Sequence, residues 1–203
     1  MKIIIDNGHG DDTPGKRSPA WTDQDQLFEW EFNRDITEQM NIILKAENYD
    51  PEILVPETND PPIRERVERA NEIHRADDAI MISIHGNAAP NDDTRPNGIE
   101  TFHYSQGGKI FANTVHEEVV TALGWKDRGV RKAYQRIKNK NNKKITIYKI
   151  AILKFTSMLT ILTENGFYTN PEECKKMMNA DVRSSIAMAT VLGLKRYLFN
   201  QNL

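Results

Sequence analysis

The stretch Ile80-Met81-Ile82-Ser83-Ile84-His85-Gly86-Asn87 constrains the fold more than any other part of the chain. Four apolar residues around one serine, mostly β-branched and too few for a helix, read as a buried strand. The strand delivers a histidine to its carboxyl end, where Gly86 and Asn87 supply turn chemistry. In open α/β sheets, ligands sit just outside that end of the strands. A histidine on such a rigid support is placed to hold a metal or move a proton. On its own it also has an ordinary use, as a strand-end side chain bonded to a neighbouring loop.

The rest of the chain repeats the theme. Lys2-Ile3-Ile4-Ile5-Asp6 reads as a first buried strand and breaks at Asn7-Gly8-His9-Gly10, so a second histidine stands at a strand's end. Residues 11–24 form a polar loop of a length usually kept for function. From Leu27 to Glu47, Phe28, Phe32, Ile36, Met40, Ile43 and Leu44 fall on one helical face. Glu52 to Val55 is a short strand ended by Pro56. A helix capped by Asp60, with Pro61 and Pro62 in its first turn, runs to His74.

Gly98 to Tyr104 alternates as a strand, and Gly108 to Leu123 is a helix closed by Gly124. A basic loop follows, then a strand between Ile145 and Leu153. Leu159 to Glu164 is a further buried strand, Pro171 opens a short helical turn, and Val182 to Phe199 is a final amphipathic helix. Strands alternating with helices predict an α/β fold: a three-layer α/β/α domain around a mostly parallel, twisted sheet of about six strands. Residues 1–203 are expected to form one domain, without repeat or linker.

Composition narrows the function. With 38% hydrophobic and 28% charged residues the chain is globular, and a net charge of -2 argues against a general grip on nucleic acid. The exception is local: between Lys126 and Lys154 only Asp127 opposes a run of lysines and arginines, read as a solvated basic loop. No apolar run approaches the ~20 residues needed to span a bilayer, so no integral membrane contact is expected. The single cysteine, Cys174, excludes an internal disulfide. Lys2–Ile5 lacks the pattern of a secretory leader. The expectation is therefore a monomer made in the cytoplasm without a signal peptide.

Three predicted strands thus end in His9, His85 and Glu164, which a parallel sheet would bring to one edge. Two histidines and a carboxylate suit zinc with a water in the remaining position. A further ligand is expected from the start of the first long helix, where Glu29 and Glu31 are both candidates. His74 and His116, in predicted helices, read as surface residues, and His103 as facing either crevice or solvent. Cys174 carries no nucleophile motif, and there is no G-x-S-x-G or phosphate-binding glycine loop.

Four segments together resemble the zinc-dependent N-acetylmuramoyl-L-alanine amidases of bacterial autolysins and phage endolysins. Ile4-Ile5-Asp6-Asn7-Gly8-His9-Gly10 is similar to that family's opening strand and first zinc histidine. Glu29-Trp30-Glu31-Phe32-Asn33 resembles its helix-start motif, which selects Glu29 over Glu31. Ser83-Ile84-His85-Gly86-Asn87 matches the second zinc histidine, and Thr163-Glu164-Asn165-Gly166-Phe167-Tyr168-Thr169-Asn170 the catalytic-glutamate motif. Arg66 with Ala70-Asn71, Gly98-Ile99-Glu100 and Arg128-Gly129-Val130 support the likeness, which runs from residue 3 to about 195. Asn7 and Leu159 stand where the family often has proline.

The resemblance implies one zinc ion on His9, Glu29 and His85, with Glu164 as general base. Zinc would acidify a water and polarise the carbonyl of the amide joining N-acetylmuramic acid to L-alanine. Muramic acid and the stem peptide of peptidoglycan would be the partners, with Asn87, Asn165 and Arg128 as substrate contacts by position. A phage or prophage origin, with release to the wall after synthesis, is the expected setting. The rival readings are a zinc carboxypeptidase of similar architecture and a non-catalytic wall-binding protein.

Overall fold

A computed structural model describes residues 1–21, 25–138 and 144–202. Its main sheet contains β1 (Lys2–Asn7), β2 (Asp50–Ile53), β3 (Ala79–Asn87), β4 (Ile99–His103), β5 (Asp127–Lys132) and β8 (Leu159–Phe167), in the order β2-β1-β3-β8-β4-β5. The pairs β1–β2, β1–β3, β3–β8 and β4–β5 are parallel; only β4–β8 is antiparallel. The carboxyl ends of β1, β3 and β8 therefore share one edge.

Period-two alternation sorts the strand side chains into two cores. Ile3, Ile5, Ile80, Ile82, Ile84 and Ile161 pack against α1 (Glu29–Ala46), α3 (Gln106–Leu123) and α6 (Ala180–Gln201). Ile4, Met81 and Leu162 face the opposite way, onto α2 (Ile63–Ala76) and α4 (Ala151–Phe155). The result is the expected layered α/β/α arrangement. On the first side α6 presses closely on α3: a Cβ on Gly193 would fall 2.5 Å from the Val115 Cα, so the seam admits no side chain there.

Local readings differ from the structure in several places, among them β3 and β8, which run on through Asn87 and Phe167 so that Glu164 lies inside its strand. β2 begins at Asp50 rather than Glu52. Helix α2 starts at Ile63 after Pro62, without a side-chain cap, because the Asp60 carboxylate is taken by Arg66 and Thr13. The strand expected between Ile145 and Leu153 ends early. β6 (Tyr134–Lys138) and β7 (Lys144–Tyr148) form a two-stranded antiparallel ribbon, and α4 follows. A strand would point Ile152 and Leu153 to opposite faces, yet both are buried in one cluster, which a helical turn allows. The basic loop is thus largely strand, with β5 at the sheet edge; residues 139–143 lie outside the described part.

His116 is a further difference. It is buried, bonded to Thr101 Oγ1 at 3.0 Å and Asp127 Oδ1 at 2.8 Å, rather than lying on the surface. His103 is also buried, and its Nδ1 donates to the Ser105 carbonyl.

One polar group ties the second helical layer to the sheet edge. The Arg66 guanidinium donates to Asp6 Oδ1 (2.6 Å), Asp60 Oδ1 (2.7 Å) and the carbonyls of Asn7 and His9 (both 3.2 Å), while its side chain is 4% exposed. Asp6 also accepts from Ser83 Oγ at 2.5 Å, which links β1 to β3. Removing one member strands buried charge, so Arg66→Met is expected to cost about 3–5 kcal/mol. A urea midpoint at the wild-type value would contradict this.

Candidate metal centre

The first histidine sits on a backbone turn that the surrounding structure enforces. His9 has a φ of 67°, a left-handed conformation uncommon outside glycine, held by the Arg66 bond to its carbonyl. On one side, a Cβ on Gly8 would fall 2.1 Å from His85 Cε1, so the chain passes directly against the second imidazole. On the other, a Cβ on Gly10 would meet the backbone of Asn59 and Asp60 at 2.3 Å. The two flanking glycines are thus required by close approach.

The first residue of α1 closes the group. The Glu29 amide donates to the Lys16 carbonyl (2.9 Å), and one turn on, Asn33 Nδ2 donates to the Gly8 carbonyl (2.8 Å). Those bonds pin the helix start over the β1 turn. Glu29 is 1% exposed; its Oε1 lies 3.0 Å from His85 Nδ1 and 3.4 Å from His9 Nε2. Its Oε2 accepts from Tyr168 Oη at 3.2 Å and stands 3.7 Å from Lys16 Nζ. One donor atom each from His9, Glu29 and His85 lie within 4.8 Å of one another. Glu31 is exposed and takes no part.

Electrostatics favour ligand protonation states. Burial drives the His9 pKa down, against the pull of Glu29, to about 4, so the imidazole is neutral at physiological pH. Burial pushes the Glu29 carboxyl up. The His85 hydrogen bond, together with the two nearby imidazoles and Lys16, outweighs it and holds that pKa below the ordinary value.

Glu164 is set beside this group by strand register. It pairs with His85 across β3–β8 and with Glu100 across β4–β8. Its Oε2 is shielded and has no hydrogen-bond partner among the described residues. Burial, reinforced by the negative charge of Glu29 and only partly offset by Lys16, raises its pKa well above the usual carboxylate value. A carboxyl kept there without a partner is suited to exchanging a proton with something that enters the site. A cleft of about 250 Å³ opens onto His9 and His85, walled by Asp60, Pro61, Pro62, Ile63, Arg66 and Ile152.

Two of the remaining residues singled out in the sequence, Asn87 and Arg128, bond to Glu100, which is buried. Asn87 Nδ2 donates to its Oε1 at 2.8 Å, and Arg128 Nε to its Oε2 at 3.1 Å, with the guanidinium 4.6 Å from the Phe167 ring centre. Asn165 is fully buried and donates to the His85 carbonyl (3.2 Å) and Thr163 Oγ1 (3.0 Å). Sequence reasoning gave no role to Tyr168, Lys16 or Glu100. Tyr168 and Glu100 lie inside segments quoted for the family likeness, while Lys16 carries no local signal.

Comparison with known proteins identifies the family. The family described as N-acetylmuramoyl-L-alanine amidase matches residues 3–196. The N-acetylmuramoyl-L-alanine amidase LytC of Bacillus subtilis is 29% identical over 199 residues, which is 96% of this chain but 35% of LytC. The chain thus spans about a third of the length of that relative. A crystal structure of an N-acetylmuramoyl-L-alanine amidase from Clostridium difficile superposes with a TM-score of 0.78 at 27% identity, covering 98% of this chain and 97% of that one. The amidase AmiC2 of Nostoc punctiforme gives 0.77 at 25% identity, with coverage of 98% and 97%. With the match running through nearly all of its sequence, the chain belongs to the N-acetylmuramoyl-L-alanine amidase family.

Proposed function

We propose that this chain hydrolyses the amide bond between N-acetylmuramic acid and L-alanine in peptidoglycan, using one zinc ion held by His9, Glu29 and His85. The observation that carries the reading is the convergence of three ligand-type atoms within 4.8 Å, with an unpartnered glutamate register-paired to one of them. Two imidazoles and a carboxylate match a catalytic zinc donor set. The site also has a charge to balance, since Glu29 and Glu164 repel each other in poorly hydrated surroundings. A cation there relieves that repulsion.

When bound, zinc lowers the pKa of water to about 7 and polarises a carbonyl. The protein's own groups do the rest. His9 and His85 would offer ring-nitrogen lone pairs, and the Glu29 carboxylate is steadied at Oε2 by Tyr168 and Lys16. Glu164 accepts the proton of the attacking water and passes it to the departing L-alanine amine. Arg128 and Asn87, both fastened to Glu100, stand as substrate contacts at the rim. The geometry of Asn165 suits a brace that fixes the His85 carbonyl. The cell wall is where such chemistry acts, and among the described residues no helix is long and apolar enough to cross a membrane.

Glu164→Gln tests the assignment. It keeps size and removes the base, so kcat should fall by about 10²–10⁴-fold while zinc still binds one to one. Retained turnover on purified peptidoglycan would sink the role of Glu164; unaltered wall binding without turnover in either protein would favour a binding module. Appearance of free carboxy-terminal residues in place of L-alanine amino termini would favour a carboxypeptidase.

Acid stability supplies a second test. The His9 pKa is about 4 folded against 6.5 unfolded. Between those values the unfolded chain binds a proton that the folded chain does not, so stability rises with pH. This contribution is fully present above about pH 6.5 and is lost as pH falls through about 4. Melts of chelated protein should show that slope, and His9→Gln should flatten it; identical slopes would place the His9 titration elsewhere.

A further inference from the structure

Behind His9 stands a carboxylate whose two oxygens do different jobs. Asp60 Oδ1 accepts from Arg66 Nη2 at 2.7 Å. Its Oδ2 accepts from Thr13 Oγ1 at 2.6 Å and lies 3.6 Å from His9 Nδ1. The other ring nitrogen, Nε2, faces Glu29 Oε1 at 3.4 Å. The imidazole is thus oriented with one nitrogen toward the ligand cluster and the other toward an acid.

Asp60 is itself held from several directions. Its amide donates to Asp12 Oδ1 at 2.7 Å, the Asp11 amide to the Thr58 carbonyl at 2.9 Å, and the Gly10 amide to Thr13 Oγ1 at 3.0 Å. Arg66 grips Asp60 and the His9 carbonyl with the same Nη2. The acid, the ring and the backbone beneath the ring therefore form one framed unit.

We propose that Asp60 is the positioning residue for His9: its Oδ2 accepts the Nδ1 proton, which fixes the tautomer and leaves the Nε2 lone pair for the metal. This rests on the metal-centre reading above and adds the residue that orients one ligand. The 3.6 Å separation exceeds a hydrogen bond, and an approach of about 0.5 Å brings it into range. A carboxylate on the far nitrogen also raises ligand basicity, and losing such a group costs about 10–100-fold in metal affinity.

The test uses the whole chain and zinc alone. Zinc affinity is measured by competition with a chromophoric chelator for wild type, Asp60→Asn, Asp60→Glu and Thr13→Val. Asp60→Asn is expected to bind about 10–100-fold more weakly, with partial recovery in Asp60→Glu and a smaller loss in Thr13→Val. A purely structural Asp60 would lower the melting temperature through the lost Arg66 pair and leave zinc affinity unchanged, which would overturn the proposal.

Nitrogen-15 correlation spectra of zinc-loaded wild type decide the matter even if Asp60→Asn does not fold. A protonated Nδ1 on His9 is expected; zinc on Nδ1 would overturn the proposal. Failure of wild type to bind zinc at all would overturn the metal-centre reading, and this proposal with it.

Discussion

The buried Arg66 guanidinium is the interaction on which the edge of the sheet depends. It comes from α2, reaches across the end of β1 and binds Asp6, Asp60 and the carbonyls of Asn7 and His9. The Asn7 carbonyl ends β1 and the His9 carbonyl lies in the turn just beyond it, and Arg66 donates to both. The left-handed backbone at His9 persists because this framework over-determines it. A hydrophobic residue of equal size could fill the same space, but it would release the loop that carries the histidine.

From that anchor the candidate centre is assembled by elements far apart in sequence. His9 comes from the β1 turn, His85 from the end of β3, Glu164 from β8, and Glu29 from the start of α1. Parallel pairing of β1, β3 and β8 sets their spacing without any local motif. The cost is a crowded, negatively charged pocket. Glu29 and Glu164 repel one another, and Glu164 keeps an unpartnered oxygen. Strain and an unsatisfied carboxyl concentrated in one place are features typical of functional sites.

Much of this was legible in the sequence, for a physical reason. Runs such as Ile3-Ile4-Ile5 and Ile80-Met81-Ile82 are read correctly because burial on both faces leaves a strand few alternatives. Their ends could then be placed at one edge, together with His9, His85 and Glu164. Glu29 is different: periodicity sets it beside the apolar stripe but leaves Glu31 a candidate, and the family likeness selects between them. Asp60 reads as a helix cap in the sequence because nothing local shows that its carboxylate is taken by Arg66 and by Thr13, the latter 47 residues away. His116 was misplaced for the same reason, since Thr101 and Asp127 give it partners that no local pattern shows. The strand expected between Ile145 and Leu153 stops at Tyr148, and Ile152 and Leu153 pack into one cluster from a helical turn.

The central claim is that His9, Glu29 and His85 hold zinc for amide hydrolysis in the cell wall. The most direct measurement digests purified peptidoglycan and counts newly freed L-alanine amino termini before chelation, after chelation and after zinc is restored. The account predicts release that stops with chelator and returns with zinc. Undiminished release in the presence of chelator, or new reducing sugar ends with no freed L-alanine, would contradict it.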